Sequence, residues 1–251
     1  MTLRLEFDGA TAHLLIERAD KRNAFNMAMW QALPDLLEQA VRHEDTRLLI
    51  LRAVDGGAFC AGADIRELLA NKEDAAWREA NQQAINMVQY QLARLPLPTI
   101  AFIEGDCVGG GCGLALACDL RVATDDARFG ITPAKLGLVY PLHDVKLLTD
   151  LVGPGQAKRL LYTGSLIDAR EAQRIGLVEM LGEDPDELAE SILDASPHSV
   201  RETKQFVRRV LDGQVEDDGD TLRIFAEAFT GPDFAEGTSA FVQKRKPDFG
   251  S

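Results

Sequence analysis

A mixed α/β (α+β) fold is what this sequence predicts, and three observations carry that expectation. Strand, glycine loop and helix follow one another twice, at 48–70 and at 99–118. A third, weaker unit runs from Leu120-Arg121-Val122-Ala123 through Phe129 to a helix near 142–152. From Gly155 onward the pattern is nearly all helical. With 251 residues, 46% of them hydrophobic and 27% charged, the composition is that of an ordinary globular protein. A chain of this length buries about three quarters of its unfolded surface.

The elements follow in order. Leu3 to Phe7 alternates apolar and polar residues, Asp8-Gly9 supplies a turn, and Ala12 to Ile16 resumes the alternation, which is a hairpin pattern. Ala28 to Val41 has helical spacing, with Met29, Leu33, Leu36, Leu37, Ala40 and Val41 on one face. Leu48 to Leu51 reads as a buried strand, followed by a glycine loop at Gly56-Gly57. A helix is expected to begin near Ala63, with Asp64 in its first turn. Asp74 to Leu95 is a long amphipathic helix stopped by Pro96 and Pro98. Thr99 to Ile103 is the next buried strand and leads toward Gly109-Gly110-Gly111. Further helices are expected at 155–162, 168–175, 185–195, 198–212, 218–229 and 232–244. Leu222, Phe225, Phe229, Phe234 and Phe241 are apolar at helical spacing, which suits core or subunit packing.

The net charge of -13 opposes binding to nucleic acid and to anionic membranes. No apolar stretch reaches membrane-spanning length, and the N-terminal residues have no signal or transit character, so the cytoplasm is expected. Cys60, Cys107, Cys112 and Cys118 lie in apolar or glycine-rich runs with no zinc spacing, so no metal site is expected. They read as small buried hydrophobes in a reducing compartment.

The run Glu104 to Asp119 is the most informative stretch. Three consecutive glycines leave no Cβ atoms between a ligand and the backbone N–H groups. The following helix adds unpaired donors and the positive end of its dipole. Such a backbone suits an oxygen that gains negative charge, although a glycine turn used only for packing has the same spelling. Gly56-Gly57-Ala58-Phe59-Cys60-Ala61-Gly62-Ala63-Asp64-Ile65 is a second segment of this kind.

Together the two segments resemble the crotonase superfamily, the enoyl-CoA hydratase/isomerase family, with its A-F-C-A-G-A-D-[IL] and G-G-G-C-x-L-A-x-x-C-D motifs. The resemblance runs nearly end to end. It includes Asn23-Ala24-Phe25-Asn26, Phe129-Gly130, Leu136-Gly137-Leu138, Thr163-Gly164, Asp168 to Ala172, Gly176-Leu177-Val178, Glu236-Gly237, Ala240-Phe241 and Lys244 to Pro247. It implies a spiral of ββα units over 1–195 carrying an acyl-CoA site. A C-terminal helical region, 196–251, would then pack on the core and form a homotrimer or a dimer of trimers. Coenzyme A would enter as part of the substrate, with no tightly bound cofactor. The oxyanion donors would be the backbone N–H groups of Ala63 and Gly110. Ala61, Asp64 and Ile65 would border the coenzyme A groove, with Lys21, Arg22 and Ala24 near its nucleotide end. Asp64 reads equally as a first-turn acid stabilised by the helix dipole.

The family's hydratases use two glutamates, at positions that here hold Gly113 and Pro133, and its isomerases use one, sometimes placed later, near Pro141. None of the three can carry a proton. Losing one positioned acid or base costs about a hundredfold to ten-thousandfold. The segment 128–141, with Thr132-Pro133-Ala134-Lys135-Leu136-Gly137-Leu138-Val139-Tyr140, is similar to the methylmalonyl-CoA decarboxylase branch. Carbon dioxide loss from a malonyl-type thioester generates an enolate without a base, and Tyr140, assisted by Thr132, would orient the carboxylate. That branch has a histidine where this chain has Ala63.

Decarboxylation is therefore the expected reaction. The alternatives are a hydratase, isomerase or hydrolase with its acid/base displaced to His143, Asp144 or Tyr140, and a catalytically silent acyl-CoA binder. His143-Asp144 also reads as a solvent-facing helix cap, with Asp144 as the capping carboxylate. Glu104 and Asp106 read as solvated strand-end acids. RNA binding, known in one branch of the family, would need a lysine-rich surface helix.

Overall fold

The structure, a computed structural model, describes residues 2–54 and 57–249, so Gly56 of the first glycine loop lies outside the described residues. The chain opens with the hairpin β1 (Leu3–Asp8) and β2 (Thr11–Ile16), followed by α1 (Met27–Arg42) and β3 (Leu48–Ala53). Next come α2 (Ile65–Ala70), α3 (Ala75–Leu92), β4 (Thr99–Ile103), β5 (Asp106–Val108) and α4 (Gly110–Ala117). β6 (Leu120–Ala123), β7 (Arg128–Gly130), α5 (Leu142–Thr163), β8 (Ile167–Asp168), α6 (Ala169–Arg174) and β9 (Met180–Leu181) follow. Four helices end the chain: α7 (Asp186–Leu193), α8 (Pro197–Leu211), α9 (Gly219–Ala228) and α10 (Pro232–Gln243).

Two sheets organise these elements. The larger runs β1-β2-β3-β4-β6-β9, antiparallel at β1/β2 and parallel thereafter. The smaller runs β5-β7-β8. Side chains on a strand alternate between faces, and β3 and β4 are apolar on both. Leu49, Leu51, Ala101 and Ile103 enter the main core with α1, α3, α4 and α5. Leu48, Ile50, Ile100 and Phe102 face the other way, where Ala189 of α7 covers them.

Several boundaries have local causes. Asn26 caps α1, its side chain accepting from Met29 N at 3.0 Å. The helix expected from Ala63 begins at Ile65, because Asp64 is its cap, accepting from Arg66 N and Glu67 N. The helices expected near 142–152 and over 155–162 are one element, α5, bent at Gly153 and Pro154. β4 does not lead directly into the glycine run, since Gly105 turns the chain and β5 intervenes. The short strands β5, β7, β8 and β9 carry too few residues for a periodic signal. All four cysteines are free and buried.

Candidate active site

The two glycine segments meet at the N-terminus of α4. Gly62 has φ 101° and places Ala63 in a bridge with Phe25, where Phe25 N donates to Gly62 O at 2.8 Å and Asp64 N to Phe25 O at 2.8 Å. Ala63 N–H is left outside that pairing. Gly109, at φ 54°, caps α4, and the first helical bond runs from Gly113 N to Gly109 O at 3.1 Å. The N–H of Gly110 therefore has no intrahelical acceptor. The two donors are neighbours, for a Cβ built on Gly110 would lie 3.8 Å from Ala63 N. The close approach depends on Gly111, where a Cβ would stand 2.4 Å from Cys60 O. Adjacent N–H groups that are unpaired among the described residues and fixed by backbone geometry can stabilise a developing oxyanion.

Loop 18–24 backs this arrangement. Asn23, buried and at φ 56°, donates from Nδ2 to Ala58 O at 2.7 Å and accepts from Arg18 N at 2.8 Å. Arg18 reaches Asp64 at 2.8 Å, and Ala61 N donates to Arg22 O. Burial alone would raise the Asp64 carboxyl, but Arg18 and the N–H groups of Glu67 and Arg66 outweigh it and hold the pKa below the usual value. Arg22 pairs with Asp106, which also accepts from Arg128 at 2.7 Å. Asp106 is thus a buried, doubly paired acid, not the solvated one expected. Lys21 approaches Asp20 at 3.7 Å, Ile65 is exposed, and Glu104 faces Arg52 at 3.5 Å.

The largest correction concerns Asp144. It is not a cap: Pro141 occupies the N-cap position of α5, and Asp144 is 1% exposed. It lies in the first turn of α5 and turns inward, where Gln89 of α3 donates from Nε2 to Asp144 Oδ2 at 3.1 Å. A Cβ added at Gly113 would meet Gln89 Nε2 at 2.3 Å, Asp144 Oδ2 at 3.0 Å and Tyr140 Oη at 3.3 Å. The space above Gly113 thus holds a carboxyl delivered from another helix. Burial pushes the Asp144 carboxyl up from its ordinary value, partly offset by the nearby His143 and the hydrogen bond from Gln89. His143 Nδ1 lies 3.8 Å from Asp144 Oδ1.

Tyr140 is buried and donates from Oη to Gly109 O at 3.0 Å. Burial, reinforced by the Asp144 charge, pushes the phenol well above its usual range and keeps it neutral. Its hydroxyl is engaged with the backbone that presents Gly110 N–H. Thr132 is half-buried, with its Oγ1 3.8 Å from a Cβ built on Gly109. Two neighbours escaped the sequence reading. Trp30, buried beside Phe25 at 4.7 Å between ring centroids, would lie 3.4 Å from a Cβ on Gly110. Gln89 is fully buried, and the signal for it was a polar residue between Val88 and Leu92 on the apolar face of α3.

The family model described as enoyl-CoA hydratase/isomerase matches residues 6–251. The crotonyl-CoA hydratase of Syntrophomonas wolfei is 33% identical over 98% of this chain and 96% of its own. The short-chain-enoyl-CoA hydratase of Clostridium acetobutylicum is 32% identical over 96% and 95%. A crystal structure of an enoyl-CoA hydratase/isomerase family protein from Hyphomonas neptunium superposes with a TM-score of 0.95 at 38% identity, covering 99% of this chain and 97% of that one. These names carry hydration and isomerisation and give no support to decarboxylation, the reaction expected from Gly113 and Pro133.

Proposed function

The chain belongs to the enoyl-CoA hydratase/isomerase family, and from that premise we propose that it hydrates or isomerises an enoyl-CoA thioester, with Asp144 as the acid/base. The observation that carries this reading is the Asp144 carboxyl standing over Gly113. Gly110 and Gly113 are three residues apart on α4 and so share a face, with about 5–6 Å between their side-chain positions. The carboxyl therefore works one helical turn from the Gly110 donor.

The thioester oxygen sits between Ala63 N–H and Gly110 N–H, and the enolate charge accumulates there. A donor of this type is worth about 3–4 kcal/mol. Asp144 moves the proton at C2, and its raised pKa suits a group that must both take and return a proton. Tyr140 is a positioning residue that fixes Gly109 O, and Thr132 and His143 complete the polar wall. Lys21, Arg22, Ala24, Ala61, Asp64 and Ile65 form the coenzyme A side. The assembly is a homotrimer or a dimer of trimers.

Decarboxylation is the weaker reading on two grounds. The Tyr140 hydroxyl is already bonded to Gly109 O. An ionised Asp144 would repel the carboxylate of a malonyl-type ester. The test supplies crotonyl-CoA, 3-hexenoyl-CoA and methylmalonyl-CoA in parallel and follows products by mass. Conversion of an enoyl ester, reduced about a hundredfold or more by Asp144→Asn, is expected. Carbon dioxide loss with the enoyl esters untouched would reverse the assignment, and binding of all three without turnover would make the protein a silent binder.

A further inference from the structure

The Gln89–Asp144 pair above Gly113 and the adjoining His143 leave three atoms unsatisfied. Gln89 Oε1, His143 Nδ1 and Asp144 Oδ1 are all buried with no hydrogen-bond partner among the described residues. Leaving such an atom unpaired is costly, and buried polar groups without partners are rare enough to need a reason. Here three arise at one place, on side chains already in contact. The amide nitrogen of Gln89 is bonded to one oxygen of Asp144. That leaves the amide oxygen and the second carboxyl oxygen with unused acceptor capacity. His143 Nδ1 stands 3.8 Å from Asp144 Oδ1, too far for a direct bond but a gap that one oxygen bonded to both would span.

We infer that Gln89 is a positioning residue, its Oε1 fixing, together with Asp144, the water that adds to C3 of a 2-enoyl thioester. This rests on the acid/base reading of Asp144 given above. Water donates one hydrogen to Gln89 Oε1 and the other to Asp144. As its oxygen bonds to C3, Asp144 takes the second proton. The electrons of the C2–C3 double bond move to the thioester oxygen between Ala63 N–H and Gly110 N–H. Asp144 then delivers that proton to C2, the carbonyl reforms, and no further acid or base is required. An enzyme that only carried a proton from one carbon to another would have no oxygen to place, and Gln89 Oε1 would have nothing to bind.

The experiment compares hydration of crotonyl-CoA with exchange of the C2 protons of butyryl-CoA in deuterium oxide. Exchange uses Asp144 and the two backbone donors but no water fixed for attack. In Gln89→Leu the ratio of hydration to exchange is expected to fall about tenfold or more. If both rates fall in proportion, or neither falls, the water-holding role of Gln89 is overturned while that of Asp144 stands. If Asp144→Asn keeps both rates, the acid/base reading itself is overturned. Should Gln89→Leu fail to fold by circular dichroism, Gln89→Asn is read by the same ratio, because its shorter amide cannot reach both partners.

Discussion

At the scale of single residues, Asp144 sets stability against function. It is a carboxyl without full solvation, held by one hydrogen bond from Gln89 and facing an imidazole. Burial raises its pKa in the folded state, with His143 and Gln89 offsetting only part of the effect. The folded protein therefore binds the proton more tightly than the unfolded chain does. Stability contributed by protonated Asp144 is lost as pH rises from the ordinary carboxylate range through the raised value. Asp144→Asn cannot ionise and escapes that loss. Its melting temperature is expected to exceed that of the parent at neutral pH, with the gap closing toward about pH 4, where both carry a neutral side chain. Thermal melts of the two proteins across that range check this, and a variant less stable at neutral pH would contradict it. Loss of turnover together with a gain in stability is the usual signature of a group kept for chemistry.

At the scale of elements, the N-terminus of α4 depends on contacts made by backbone alone. Gly111 lies against Cys60 O, and a Cβ there would stand 2.4 Å from an oxygen that cannot rotate away. Gly111→Ala is expected to cost about 1–3 kcal/mol by overpacking. It should also lower turnover about a hundredfold, because the Ala63 and Gly110 donors separate when the two loops are forced apart. Denaturant melts and steady-state assays measure the two effects, and a Gly111→Ala protein with parental rates would show that the contact has slack. This backbone dependence explains why these loops were legible in the sequence, where glycines stand wherever a side chain would intrude. The longer elements β3, β4, α1 and α3 were legible through their hydrophobic period. The sheet β5-β7-β8 was not, since strands of two or three residues have no period to read. The cap reading of Asp144 failed, because a His-Asp pair opening a helix has the spelling of a cap and only the packing of α3 against α5 decides that the carboxyl turns inward, where the alternative acid/base reading needs it. Asp106 was misread likewise, for its burial depends on Arg22 and Arg128, each far from it in the chain.

At the scale of the whole molecule, the C-terminal helices leave apolar surface uncovered in a single chain. Phe225, Phe229 and Phe234 stack edge to face with centroids 5.4 and 5.3 Å apart, yet each remains exposed. Phe241 is 85% exposed and Val242 79%. A groove of about 800 Å³ lies among α8, α9 and α10, lined in part by Phe234, Phe241, Val242 and Phe249. A contiguous apolar face of this kind marks an interaction surface, and burying aromatic side chains there repays about 25 cal/mol for each Å² removed from water. The net charge of -13 opposes association of like chains, so apolar contact has to dominate any assembly that forms. Self-association through α9 and α10 into a trimer, or a pair of trimers, is the expected outcome. Light scattering coupled to size-exclusion chromatography should give a multiple of the 27.5 kDa chain mass. Phe241→Asp places a charge in the middle of this face and is expected to shift the protein toward monomer, since desolvating an unpaired carboxylate at an interface costs several kcal/mol. The variant should keep the fold, because Phe241 contributes little to the core of its own chain. A parent protein that elutes as a monomer at every concentration would remove the assembly, and Phe241→Asp with unchanged mass would place the contact on another face.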